Sequence, residues 1–102
     1  MLPQEKVQNL IDRHLKLEKE LSSGEIDKNK YAEISKEYSD LNEIIKQAKE
    51  YLNFKKETDD LNNIINDKNS DSEMIEFANA ELENLKKNYF INEKIIKLFL
   101  LP

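Results

Sequence analysis

The chain has 102 residues, of which 36% are charged and 38% hydrophobic, with one Gly, two Pro and no Cys. That length allows one domain around one core. A single glycine cannot supply the closely spaced turns of a sheet protein, and the absence of cysteine excludes disulfides and thiolate metal sites. The net charge of −5 is spread over 21 acids, fifteen Lys and the lone Arg13, so no basic face for phosphate binding stands out and a protein partner is expected before a nucleic acid.

The spacing predicts a first helix over residues 3–21. Pro3 suits a first turn, where its missing N–H costs nothing. Val7, Leu10, His14, Leu17 and Leu21 alternate at three and four residues, with Ile11 and Leu15 broadening the stripe. Ser22-Ser23-Gly24 ends it, glycine being able to take the left-handed C-terminal position.

A second helix is expected over 28–66, capped by Asp27. Its stripe runs Tyr31, Ile34, Tyr38, Leu41, Ile45, Ala48, then Tyr51, Phe54, Thr58, Leu61 and Ile65. Two successive steps of three around Ala48 predict a phase slip there. A helix of this length would reach roughly 60 Å at 1.5 Å per residue, so the molecule must be elongated.

After the polar turn at residues 66–72 a third helix is expected over 72–101, begun by a Ser70/Glu73 capping box or by Asp71. Ile75, Ala78, Leu82, Leu85, Tyr89, Asn92, Ile96 and Phe99 form its seam. The short connections make neighbours antiparallel. The fold class is therefore all-α, an elongated antiparallel three-helix bundle or coiled coil with helices two and three outrunning helix one. Asn92 is the polar member of the last seam: buried it would fix register, but the simpler expectation is a frayed end with Asn92 solvated.

Chemistry is hard to place on this frame. His14 is the only histidine and points to packing or a rim hydrogen bond, since zinc wants three or four convergent ligands. The carboxylates fall on solvated faces beside lysines, as in Glu33 with Lys36 and Glu83 with Lys87, and the pairs Lys55-Lys56 and Lys86-Lys87 read as helix surface. A slender bundle offers no desolvated pocket for a general acid or base. Gly24 alone makes no phosphate loop. Tyr31, Tyr38, Tyr51 and Tyr89 follow the seams, as core residues do. The expectation is a chain that is no enzyme, with no catalytic, cofactor or metal site.

The residues after Met1 form no signal peptide, and no apolar run approaches the roughly 20 residues of a membrane span, so a soluble cytoplasmic protein with no membrane partner is expected. The C-terminal Ile95, Leu98, Phe99, Leu100 and Leu101 make the last helix apolar nearly all round, which normally means burial. They form the candidate interdomain surface, covered by the next domain of a longer chain of which this is the N-terminal part. In isolation that end is expected to self-associate.

Several segments carry a family resemblance. Ile34-Ser35-Lys36-Glu37-Tyr38-Ser39-Asp40-Leu41 resembles the "LSKEYAxL" segment of bacterial class I peptide chain release factors, and Glu73-Met74-Ile75-Glu76-Phe77-Ala78-Asn79-Ala80-Glu81-Leu82 resembles their "EMxExAxxEL". Arg13-His14 with Leu17 is similar to the "RHxxL" start, and Leu98-Phe99-Leu100-Leu101-Pro102 to the "LLLLP" of the type that reads UAA and UAG. The four cover the whole chain in order. Ser70-Asp71-Ser72-Glu73 departs from the family, where Asp-Pro commonly precedes the third helix.

The resemblance implies a longer protein that recognises a stop codon and triggers peptidyl-tRNA hydrolysis, with the codon tripeptide and Gly-Gly-Gln loop in later domains. It also implies that this domain reaches the stalk-base region of the large ribosomal subunit and is linked with the recycling GTPase factor. Two rivals are a tRNA-binding coiled-coil arm of a synthetase, against which three helices and negative charge argue, and a stand-alone helical adaptor, against which the apolar end argues.

Overall fold

A computed structural model describes residues 2–102; Met1, expected to be a natural start, lies outside them. The described chain forms four α-helices and no strand: α1 (Gln4–Ser23), α2 (Lys28–Asn42), α3 (Ile45–Asn66) and α4 (Ser72–Leu100). Its axes measure 61 × 28 × 19 Å, the elongated all-α bundle that the periodicity predicts.

The ends follow local chemistry. Pro3 caps α1 from outside, its carbonyl accepting from Lys6 and Val7, so it sits one position before the expected first turn. Gly24 closes α1 at φ 71°, the left-handed region that a β-carbon disfavours. Asp27 caps α2 by accepting from the Asn29 amide at 3.1 Å. Of the two caps open at α4 the structure uses Asp71, whose carboxylate accepts from the Met74 amide at 2.8 Å. Asp67 accepts from the Asn69 amide at 2.9 Å and shapes the turn before it.

The single helix expected over 28–66 is a correction: it is two helices, broken at Glu43–Ile44. There the amides of Glu43 and Ile44 bond three residues back, to Asp40 and Leu41, instead of four. This tightened turn, with Ile44 at φ −118° and ψ −1°, rotates the following face. Ile44 enters the core in place of Ile45, which is half-buried. The buried series becomes Leu41, Ile44, Ala48, Tyr51 at steps of three, four and three. Two successive steps of three therefore fall at Tyr38-Leu41-Ile44, ahead of the pair at Ala48-Tyr51-Phe54, which remains.

The broken α2–α3 rod is the spine. Leu2 meets Tyr51, His14 meets Asn42 and Arg13 meets Glu37, so α1 runs antiparallel along α2 and the first half of α3. Antiparallel α4 packs along α3, as Tyr51 with Tyr89 and Glu50 with Asn92 show. Val7, Leu17, Leu41, Ile44, Ala48, Tyr51 and Ile96 form the core where the three rods meet. Beyond Tyr51 the α3–α4 hairpin outruns α1, which leaves its far half two-stranded.

Two stripe members lie outside the core. Leu15 and Tyr31 are exposed, because α1 meets only one rod at each level near α2 and a narrower stripe suffices. Asn92 is the larger correction: it is 6% exposed, not solvated, and donates from Nδ2 to Glu50 Oε2 at 3.2 Å. α4 does not fray there, since Ile96, a turn further on, is fully buried.

Candidate interdomain surface

The five residues of the candidate surface divide by helix geometry. At 100° per residue, Ile95 and Phe99 lie about 100° and about 60° to the same side of the buried Ile96, and both pack half-buried against the core. Leu98 and Leu101 turn outward and are 69% and 66% exposed, while Leu100 lies close to the direction of Ile96 but, as the last residue of α4, is still 37% exposed. The structure thus brings three of the five to the surface and assigns two to the bundle.

Phe90 and Ile91 join the outward set, at 66% and 54% exposed. Sequence reasoning passes over them because they lie off the α4 seam. The available signal was the seven-residue step from Ile91 to Leu98, which places both on one face. Phe90 with Ile91, and Leu98 with Leu101, form a broken apolar strip along the outward side of α4, with Lys94 between the two pairs.

The nearby polar groups hold α4 in place. Tyr51, 4% exposed, stacks on Tyr89 with ring centroids 4.6 Å apart. Its hydroxyl accepts from the Leu2 amide at 3.0 Å and from the Tyr89 hydroxyl at 3.0 Å, and donates to Glu93 Oε2 at 3.2 Å. Burial foremost, then the Tyr89 hydrogen bond, pushes the Tyr51 phenol above its ordinary range. The Lys97 ammonium, 3.0 Å from Glu93 Oε1, holds the Glu93 carboxyl below its usual range. One tyrosine hydroxyl thus ties the start of α1 to both α3 and α4.

His14 is buried, stacks on Tyr38 at 4.8 Å and donates from Nε2 to Asn42 Oδ1 at 2.5 Å. That is the packing and hydrogen-bonding role its position predicts. Among the described residues no cluster of three or more His, Asp or Glu has metal-binding geometry, and no helix is long and apolar enough to cross a membrane. The surface charges pair differently from expectation: Lys36 reaches Asp40 at 3.1 Å rather than Glu33, and no ion pair joins Glu83 to Lys87. Lys55 and Lys56 are exposed and pair with Asp59 and Asp60.

A model of the PCRF domain matches residues 10–102. Among curated proteins the chain is similar to peptide chain release factor 1 of Pelagibacter ubique, with 52% identity over all 102 residues. It is also similar to the proteins of that name from Bacteroides thetaiotaomicron and Bacteroides fragilis, with 32% and 30% identity over 76 residues, 74% of this chain. The chain spans 29% of the Pelagibacter protein's length and 20% of the Bacteroides ones. No solved structure matches.

Proposed function

We propose, because this chain belongs to the PCRF domain family, that it is the N-terminal helical arm of a translation termination factor that reads UAA and UAG and promotes peptidyl-tRNA hydrolysis on the ribosome. The observation that carries this reading is 52% identity sustained over every residue with a release factor 1. The arm's part is positional. Its 61 Å length suits reaching, and its carboxylates lie on solvated helix faces rather than around a reacting centre.

In this reading Leu98, Leu100 and Leu101 face the remaining domains of the factor. The two-stranded end of the α3–α4 hairpin reaches toward the stalk base of the large subunit and is the part within reach of a recycling GTPase factor. Codon reading and hydrolysis belong to the later domains.

A domain exchange tests the proposal. This chain would replace the matching segment of the Pelagibacter release factor 1, and release would be followed on ribosomes programmed with UAA, UAG or UGA. Retained release on UAA and UAG, with none from the 102-residue chain alone, is the expected result. Loss of release by a folded chimera, or stop-codon-dependent release by the isolated chain, would overturn it.

A further inference from the structure

We infer that the outward face of α4 is a self-complementary surface that pairs with a second copy of this chain, the two α4 helices antiparallel about a two-fold axis at Leu85. Glu76, Ala80, Glu83, Lys87, Phe90 and Lys94 recur at alternating steps of four and three, so they form one stripe along the helix. All six are exposed, on the side of α4 turned away from the buried Ala78, Asn92 and Ile96.

The order of chemistry along this stripe is what identifies the occupant. Residues 76 and 94, 80 and 90, and 83 and 87 are each equidistant from position 85. Reversing a second copy about that point sets Glu76 against Lys94, Ala80 against Phe90 and Glu83 against Lys87, and then repeats the three layers in mirror order. Each acid meets a base, and the one large apolar side chain meets the one small residue. A parallel second copy would instead face Glu with Glu and Lys with Lys.

Two further observations agree. None of Glu76, Glu83, Lys87 and Lys94 forms an ion pair within the described chain, although Lys36, Lys55 and Lys56 elsewhere all find partners four residues away. Phe90 is 66% exposed, and the face of a second copy would cover it. An isologous contact of this kind closes on itself and needs no partner beyond the chain. The inference does not rest on the release-factor reading.

Sedimentation equilibrium of the 102-residue chain from about 10 μM to about 1 mM, the range suited to a weak contact, is the test. A dimer is expected that weakens as salt is raised. Lys87→Glu with Lys94→Glu should make the chain monomeric with its helical circular dichroism unchanged, since both side chains are exposed. Adding Glu76→Lys and Glu83→Lys to that variant should restore the dimer. The fully swapped chain and the wild type should each pair with themselves but not with each other, whereas parallel pairing would give the reverse. A wild-type monomer throughout the range would overturn the inference, as would a dimer indifferent to Lys87→Glu with Lys94→Glu, which would place the contact on the apolar end at Leu98 and Leu101.

Discussion

Asn92 donates to Glu50 across the α3–α4 seam at 3.2 Å, from a site that is 6% exposed to an acid that remains in solvent. The pair is asymmetric: removing Asn92 returns Glu50 to water at little cost, while an apolar side chain at position 92 would extend the burial around Ile96. Asn92→Leu should therefore raise the unfolding free energy by about 1 kcal/mol. Urea denaturation measures it. A destabilised variant would show instead that the hydrogen bond outweighs the burial.

Tyr51 differs from Tyr89 in what its hydroxyl serves. Two donors, the Leu2 amide and the Tyr89 hydroxyl, converge on Tyr51, so Tyr51→Phe strands both, at about 1–3 kcal/mol. Tyr89→Phe removes one donor from an oxygen that keeps another, and should cost less. The pH dependence has a definite sign. Because the folded phenol of Tyr51 is raised above its ordinary value near 10, its contribution is fully present below that value and is lost as pH climbs toward the folded one. Urea midpoints measured across the alkaline range should fall for the wild type and fall less for Tyr51→Phe.

Arg13 holds Glu37 through two parallel hydrogen bonds of 2.7 and 2.8 Å between α1 and α2. The side chains are 43% and 41% exposed, so solvent screens the pair. A double-mutant cycle with Arg13→Ala and Glu37→Ala should give a coupling of at most about 1 kcal/mol. The Arg13 hydrogen bond is the main cause that lowers the Glu37 carboxyl. Its stabilisation is therefore present above the ordinary carboxylate pKa and disappears as pH falls through the depressed one. High salt should reduce the coupling at neutral pH.

The helical class, the two outer helices and the ends at Gly24, Asp27 and Asp71 were legible because Gly24 acts through its own backbone conformation and the two aspartates through bonds to near neighbours. The break at Glu43–Ile44 was not. Ile44 and Ile45 are equally apolar neighbours, and only the packing of α1 and α4 decides which one turns inward. Asn92 failed for a related reason: a polar residue on a seam reads as solvated until Glu50 on the facing helix is known to meet it. The candidate surface was half legible, since composition marks the apolar end but cannot separate Phe99, which packs on the core, from Leu98, which does not.

The break has a consequence for backbone protection. The amides of Ile45, Lys46 and Gln47 open α3, where Ile44 offers no side-chain cap and the first intrahelical acceptor reached is the Ile44 carbonyl, from Ala48 at 2.9 Å. These amides should exchange with deuterium faster than those of Leu41 and Tyr51 on either side. Uniform protection from 38 to 54 would mean that α2 and α3 behave as one helix in solution.

The division of the C-terminal apolar residues yields a contrast between neighbours on one helix turn. Phe99 packs half-buried against the core, whereas Leu98 is 69% exposed. Phe99→Ser should destabilise the isolated chain by about 2 kcal/mol through lost burial and packing. Leu98→Ser should stay within about 0.5 kcal/mol, the usual range for an exposed site. If the outward strip is the interdomain surface, the ranking should invert within a release factor carrying this chain. There Leu98→Ser, and Leu98→Ser with Leu101→Ser more so, should increase the protease sensitivity of the junction between this arm and the next domain while leaving the arm folded. An unchanged junction in a folded double variant would remove Leu98 and Leu101 from that surface.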